Sequence, residues 1–227
     1  MRSHLLTHPL CVDFTNLQPR RKVTRPRNDR PEDMTKHFDI LISGASYSGV
    51  ALALALVKSL DGTLAVGVID KAPGDHRPAD SPRAFAISAA SRHLLEYISV
   101  WSAIEPEAQQ VSEIEITDSA LDAGIRPILL TYENTLDDNE PASHIVPDAV
   151  LANALKSQLE RSDLQLFTDA EAREFNTQPT RASVTCTSGQ SFDADLVVAA
   201  EGRASRIREQ AGIKCFSSDY HQLGICT

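Results

Sequence analysis

The clearest pattern of apolar and polar positions lies in the first third of the chain, where the period changes twice. Residues 38–43 form a short apolar run that ends at Gly44, which is typical of a buried parallel strand. From Ser48 onward nearly every residue favours a helix, until an Asp-Gly pair at 61–62 supplies a left-handed stop. A second apolar run follows at residues 64–69. The pattern predicts a strand–turn–helix–strand unit with parallel strands.

The downstream segments continue the alternation of strands and helices. They predict a helix over 88–97, a half-buried strand over 111–117, a hairpin with a loop over 121–143, a helix over 147–161, a strand over 164–168, a hairpin around Ser188 and Gly189, a strand over 196–200, and a helix over 205–211 that ends at Gly212. No internal repeat is visible, and no apolar run approaches the ~20 residues needed to span a bilayer. Strands that alternate with helices indicate an α/β fold.

The first 36 residues differ from the rest in charge and in pattern. Basic residues are concentrated there, although the whole chain has a formal net charge of −9. The segment has no apolar period and is interrupted by prolines, so residues 1–36 are predicted to be a disordered or spurious extension. It lacks the apolar core of a secretory signal, and its acids and prolines disfavour an amphipathic transit peptide. We therefore expect Met34 to be the natural start.

Charge and cysteine usage exclude several classes of partner. An acidic chain repels the phosphate backbone of nucleic acids, so no nucleic-acid partner is expected. The cysteines, Cys11, Cys186, Cys215 and Cys226, form no CxxC pair and have no histidine at metal-ligand spacing. We therefore expect neither a metal site nor a disulfide framework, and a reducing cytoplasm fits this cysteine usage.

The turn between the first strand and the first helix has the form of a dinucleotide-binding fingerprint, GxGxxG, with Ser46 in place of the second glycine. Gly44 would make the tight turn, and Gly49 would allow close packing of the helix. Asp70, at the tip of the second strand, would accept hydrogen bonds from ribose hydroxyls. The candidate binding residues are Gly44, Ala45, Ser46, Ser48, Gly49, Asp70 and Lys71. The alternative is a structural turn without a ligand.

A second candidate site follows the predicted strand at 196–200. Glu201 and Gly202 lie at the carboxyl end of that strand, just before a helix, where ligands bind in open α/β sheets. The alternative is a capped strand-to-helix turn with a solvated glutamate.

Together these motifs resemble those of group A flavoprotein monooxygenases, and within them the hydroxylases of ubiquinone biosynthesis. In that family the first motif binds the ADP half of FAD, and the second is similar to a GADGxxSxxR signature that lines the groove for flavin and pyridine nucleotide. Residues 80–88 resemble a DxRxxALS segment whose arginine, here Arg83, reaches FAD. Residues 144–155 are similar to the helix opening that follows the first substrate-domain strands in the family.

The chain also departs from the family pattern. Ser46 replaces a glycine, and Glu201 replaces an aspartate, which lengthens the acidic side chain by one methylene. Family members are nearly twice as long, and their last third carries a second flavin-binding motif of GDAAH type that is not found here. The resemblance therefore implies the amino-terminal part of a hydroxylase, whose last residues lie in a strand.

The fold implied by the resemblance is a three-layer, Rossmann-like FAD-binding domain with part of an inserted β-rich substrate domain. Its expected parts are the extension at 1–36, FAD-binding segments at 37–110 and 146–213, the first substrate-domain strands at 111–145, and an incomplete return to the substrate domain at 214–227.

The activity implied by the resemblance is hydroxylation of a polyprenylated phenol or another aromatic substrate, with FAD as cofactor and NAD(P)H and O₂ as co-substrates. No residue of the chain is assigned as a catalytic acid or base. The expected location is the cytoplasm. The resemblance also allows peripheral association with the inner face of the membrane or with a biosynthetic complex. The alternatives are a non-catalytic fragment or pseudoenzyme and an NAD-dependent dehydrogenase.

Deleting residues 1–33 should leave the melting temperature nearly unchanged, because the polar, proline-rich extension cannot bury enough apolar surface to order itself. Thermal unfolding of the shortened and the full chain, compared side by side, measures this. A fall of many degrees would show that the extension packs on the domain.

Overall fold

The computed structural model describes residues 35–71, 83–120 and 122–221. Residues 1–34 of the expected disordered extension and the apparent final strand therefore lie outside the described residues, as do residues 80–82 at the beginning of the segment that contains Arg83. The last residue of the expected extension, Lys36, is already in a strand. Among the described residues, no helix combines the length and the apolar character needed to cross a bilayer.

The described part of the chain forms eleven strands, five helices and a short 3-10 turn. The strands are β1 (Lys36–Ser43), β2 (Val66–Ile69), β3 (Ala84–Ser88), β4 (Gln109–Gln110), β5 (Glu113–Thr117), β6 (Ile128–Glu133), β7 (Ser143–Pro147), β8 (Gln165–Phe167), β9 (Ala172–Gln178), β10 (Arg181–Cys186) and β11 (Ser191–Ala199). The helices are α1 (Tyr47–Leu60), α2 (Ala89–Tyr97), α3 (Trp101–Ile104), α4 (Asp148–Glu160) and α5 (Arg206–Gln210), and the 3-10 turn is Glu105–Glu107.

The main sheet has six strands in the order β8-β2-β1-β11-β10-β9. The first four of these are parallel to one another, and β10 and β9 complete the other edge as antiparallel strands. The chain leaves β1 toward β2 on one side and returns much later beside β1 as β11 on the other side. The carboxyl end of β1 is therefore a topological switch point, where open α/β sheets bind their ligands.

Both faces of this sheet are covered. Ile40 and Ile42 of β1 pack with Ala53 of α1 on one face. Leu41 points to the opposite face and shares a buried cluster with Ile207 of α5. Burying each of these large aliphatic side chains contributes about 1.5 to 3 kcal/mol to the driving force for folding. The predicted mixed α/β fold with a largely parallel sheet is confirmed.

The helices form layers of unequal size. On one face, α1 packs against α4 and the short helices α2 and α3 in a single apolar cluster that includes Trp101. On the other face, α5 is attached to the outer strand β9 by the side chain of Gln210. Its Oε1 accepts from the Phe175 N–H at 2.7 Å, and its Nε2 donates to the Arg173 carbonyl at 2.9 Å.

Several of the predicted element ends are confirmed. Asp61, with φ of 46°, ends α1 in the left-handed conformation. The Ser88 hydroxyl accepts from the Ser91 N–H and caps α2. The hairpin at Ser188 and Gly189 joins β10 to β11, and Gly189 has φ of 87°. The last strand is longer than predicted, because β11 begins at Ser191 rather than near residue 196.

Two smaller sheets lie beside the main one. β3, β7 and β4 form a three-stranded sheet, and the sequence pattern predicted none of these three strands. β5 and β6 form a separate two-stranded hairpin, which begins earlier in the chain than the predicted hairpin at 121–143.

The strand predicted over 111–117 is present as β5, but the prediction that it is half-buried is wrong, because every residue of β5 is exposed. Ile114 pairs with Tyr132 and Ile116 pairs with Leu130, so these four side chains share one face of the hairpin. Each of them is 42 to 48% exposed. The alternation of apolar and polar residues along β5 does create an apolar face, but no described residue covers that face.

Candidate functional site

The glycine turn after β1 is packed so tightly that two of its positions require glycine. Gly44 has φ of 111°, and a Cβ there would stand 2.4 Å from the Ala200 carbonyl oxygen. A Cβ on Gly49 would stand 1.8 Å from the Gly44 carbonyl oxygen. The first glycine therefore permits contact with the neighbouring strand, and the last one lets the start of α1 close onto the turn.

The carboxylate of Asp70 supports the same turn from the side. Asp70 directly follows β2, and its Oδ2 accepts a hydrogen bond from the Ala45 N–H at 2.5 Å. Gly44 also donates its N–H to the Ile69 carbonyl at 2.8 Å, which continues the pairing of the two strands. Asp70 is half-buried, whereas Lys71 next to it is exposed. The structure thus places the predicted ribose-binding carboxylate against the turn.

The start of α1 provides the electrostatic component of the site. Ser46 precedes the helix in an extended conformation, with φ of −85° and ψ of −172°. Ser46 and Ser48 are both exposed, and no acidic side chain lies in the first turn of the helix. The N–H groups and the positive end of a helix dipole favour an anion at such an end. This part of the turn suits a phosphate group.

Glu201 joins three elements through its carboxylate. Its Oε1 accepts from the Ser43 hydroxyl at 2.8 Å, at the end of β1. Its Oε2 accepts from the Ser205 hydroxyl at 2.7 Å and from the Ile207 N–H at 3.1 Å, at the start of α5. Ser205 in turn accepts from the Arg208 N–H and caps that helix. The turn is therefore capped, but its glutamate is part of the cap rather than solvated.

The two candidate motifs are brought together by the pairing of β1 with β11. Ser43 lies opposite Ala199 in the parallel register, and the Ala200 N–H donates to the Ser43 carbonyl at 2.7 Å. Gly202 follows with φ of 84°, is exposed, and has open space where a Cβ would stand. The exposed backbone at Gly202 would therefore be accessible to a ligand that lies over Gly44. That Glu201 and Gly202 contact a cofactor stays a prediction.

Arg83 is connected to the start of α1 through the side chains of Phe85 and Tyr47. Its guanidinium lies 5.5 Å from the centre of the Phe85 ring, and that ring meets the Tyr47 ring edge-on at 5.1 Å. The Arg83 Nε lies 3.9 Å from Oδ2 of Asp148, and the Tyr47 hydroxyl donates to the same carboxylate. The Arg83 side chain is 61% exposed.

Asp148 was not identified as a site residue from the sequence. Its side chain is 1% exposed, and this burial raises the pKa of its carboxyl group. The sequence signal was the Pro-Asp pair at 147–148, which indicated only the start of a helix. Nothing local in that pattern shows that the carboxylate meets the glycine turn.

A third group of polar side chains lies elsewhere. Within the described ranges, His37, Asp39 and Asp195 bring ligand atoms within 4.8 Å of one another. The Asp39 carboxylate accepts from the Ala65 N–H at 2.6 Å, which gives it a structural role. This group lies near the start of β1, whereas the glycine turn follows the end of that strand, so the two are separate.

Comparison with known families identifies the fold. Residues 37–225 match the family model of the FAD-binding domain. The chain belongs to this family of FAD-binding domains. FAD is therefore the cofactor of the family, and the FAD-binding domain that the sequence resemblance implied is confirmed.

Two relatives are named as a ubiquinone hydroxylase and as a monooxygenase of ubiquinone biosynthesis. The chain is 31% identical over 193 residues to the ubiquinone hydroxylase UbiL of Rhodospirillum rubrum, covering 84% of this chain and 43% of the relative. It is 26% identical over 205 residues to the mitochondrial ubiquinone biosynthesis monooxygenase COQ6 of Drosophila melanogaster, covering 84% and 41%. The chain thus spans less than half the length of these relatives.

Solved structures show the same fold at lower identity. A PqsL variant of Pseudomonas aeruginosa superposes with a TM-score of 0.66 at 18% identity, covering 82% of this chain and 48% of that one. The p-nitrophenol 4-monooxygenase PnpA of Pseudomonas putida gives a TM-score of 0.64 at 17% identity, covering 79% and 44%.

The residues of the site fit a flavin nucleotide. The acid-free start of α1 suits the pyrophosphate, Asp70 lies at the strand tip where a ribose is expected, and Arg83 adds an exposed positive charge. The open backbone at Gly202 leaves room for the remainder of the ligand.

Gly49→Ala should destabilise the protein even though alanine is the better helix former. The added Cβ would overlap a backbone oxygen that cannot rotate away, which should cost about 3 kcal/mol or more. Thermal unfolding should show a fall of roughly 6 to 12 °C. The matched control is Gly62→Ala, where φ is 70° but the space is open, so only about 1 kcal/mol of backbone strain is expected. Equal losses in the two variants would contradict the packing argument.

Proposed function

We propose that the chain is the cofactor-binding part of an FAD-dependent aromatic hydroxylase of ubiquinone biosynthesis. The observation that carries the proposal is the meeting of the Gly44 turn, braced by Asp70, with the Glu201-Gly202 turn at the switch point of an FAD-binding domain. The names of the hydroxylase relatives support the same activity.

Each predicted binding residue has a role in this proposal. The turn from Gly44 to Gly49 and the first N–H groups of α1 bind the pyrophosphate, with Ser46 and Ser48 exposed beside it. Asp70 accepts hydrogen bonds from the adenosine ribose while it holds the Ala45 N–H. Arg83, Lys71 and the Glu201-Gly202 turn complete the candidate set.

The chemistry of the reaction belongs to the cofactor. When bound, FAD transfers electrons from NAD(P)H to O₂, and the protein positions it and excludes water. In this proposal the candidate binding residues hold the nucleotide half of the cofactor. No described residue is assigned as a catalytic acid or base. The substrate proposed is a polyprenylated phenol or another aromatic compound, in keeping with the relatives' names.

The domain boundaries and the location are part of the proposal. The hairpin of β5 and β6 belongs to the proposed substrate domain at 111–145, and its exposed apolar face suits contact with further polypeptide or substrate. The proposed location is the cytoplasm, with association at the inner face of the membrane, where a prenylated substrate resides.

In the complete hydroxylase of which this chain is proposed to be the cofactor-binding part, Asp70→Ala should weaken FAD binding about tenfold to a hundredfold. A charge-assisted hydrogen bond to the ribose contributes about 1.5 to 3 kcal/mol. Flavin fluorescence quenching measures the affinity. Asp70→Asn, which keeps an oxygen for the Ala45 N–H, should lose less, and Asp118→Ala at an exposed loop is the control for the loss of one carboxylate. Unchanged affinity in Asp70→Ala would mean that the ligand does not lie across β2.

Residues 1–227 expressed alone should be poorly soluble, bind less than one equivalent of FAD and fail to hydroxylate. The exposed apolar hairpin invites association, and an incomplete pocket admits water to reduced flavin, which then releases peroxide. Absorption near 450 nm, peroxide release and product analysis after adding NAD(P)H measure these properties. Stoichiometric yellow protein that hydroxylates a phenol would contradict this expectation.

A further inference from the structure

A cluster of four side chains, of which Asp148 is buried and Arg83 is exposed, connects the glycine turn to two other elements. Tyr47 is the first residue of α1, Arg83 immediately precedes β3, Phe85 lies in β3, and Asp148 is the first residue of α4. The Asp148 N–H also donates to the Arg83 carbonyl at 2.9 Å, so the backbones are joined as well as the side chains. The start of α1 is thereby tied to the start of α4 and of β3.

The two helix starts in this cluster differ in charge. The first turn of α4 contains Asp148, and the positive end of the helix dipole favours the negative charge of its carboxylate. The first turn of α1 contains no acidic residue. An external anion is therefore favoured at α1 and disfavoured at α4, although the two ends are joined through the Tyr47 hydroxyl.

A carboxylate suits this position better than an amide would. One oxygen of Asp148 accepts from the Tyr47 hydroxyl, and the other lies 3.9 Å from the Arg83 Nε. At that separation the second contact is an attraction between charges rather than a hydrogen bond. An asparagine could still accept from Tyr47, but it would not attract the guanidinium.

We propose that Asp148 is a positioning residue, which restrains the exposed Arg83 guanidinium above the Phe85 ring so that it is preorganised for the pyrophosphate of the cofactor. The proposal rests on the proposed function, because it assumes that FAD binds at the Gly44 turn. An unrestrained arginine side chain would lose rotamer freedom on binding, and the cluster removes part of that loss beforehand.

Preorganisation and charge neutralisation act in opposite directions here. Asp148 lowers the net charge near Arg83, which by itself would weaken the binding of an anion. The Asp148 carboxylate is buried, whereas 61% of the Arg83 side chain is exposed, so the guanidinium is accessible to a ligand from the side that faces solvent. We therefore expect preorganisation to dominate.

The test is a double-mutant cycle in the complete hydroxylase of which this chain is the proposed cofactor-binding part, with FAD affinity measured by fluorescence quenching. Asp148→Asn should weaken FAD binding about threefold to tenfold, which corresponds to the ordering of one long side chain. In an Arg83→Ala background the same change should have no effect on affinity. Riboflavin, which lacks phosphate, should bind equally to all four proteins. Glu160→Gln, an exposed site at the other end of α4, is the matched control.

The outcomes separate this proposal from the proposed function. Failure of the unaltered protein to bind FAD would overturn both. If that protein binds FAD, then tighter binding by Asp148→Asn would show that the carboxylate only neutralises Arg83. An equal loss with and without Arg83, or a parallel loss for riboflavin, would show a general structural defect. Each of these three results would overturn the positioning role of Asp148 and leave the proposed function intact.

Discussion

The parallel pairing of β1 with β11 is the constraint on which the candidate site depends. It places the Gly44 turn against Ala200 so closely that a single added carbon would overlap the carbonyl oxygen. Because the two strands come from distant parts of the chain, neither turn has its observed surroundings until the sheet is complete. The site is therefore a product of the whole sheet and not of the local strand–turn–helix unit.

Acidic side chains stabilise this edge of the sheet because they accept hydrogen bonds from N–H and hydroxyl groups that have no partner within a helix or strand. Asp70 accepts from the Ala45 N–H in the turn, and Glu201 accepts from the Ile207 N–H at the start of a helix. Asp148 meets the Tyr47 hydroxyl. Each carboxylate thus satisfies a polar group that would otherwise be costly to bury. The longer side chain of Glu201, compared with the family's aspartate, spans from the end of β1 to the start of α5.

Local patterns explain why much of the fold could be predicted. The first strand, the glycine turn, α1 and its left-handed end follow from residues that are neighbours in sequence, and so do the Ser88 and Ser205 caps. The missed features depend on partners far away. Ser43 and Glu201 are separated by 158 positions, and Tyr47 and Asp148 by 101. The alternation of β5 was visible, but its burial was not, because burial depends on what packs against the hairpin.

Three carboxylates beside a proposed pyrophosphate site repel an anion, and their hydrogen bonds show how this repulsion is limited. Glu201 has both oxygens engaged by hydroxyl and N–H donors, so much of its charge is compensated within the protein. Asp148 lies at the start of α4, whose dipole favours its charge, and next to Arg83. Asp70 bonds the turn from the strand side. The first turn of α1 carries no acidic residue. The acids therefore shape the turn while the helix end beside them keeps its attraction for an anion.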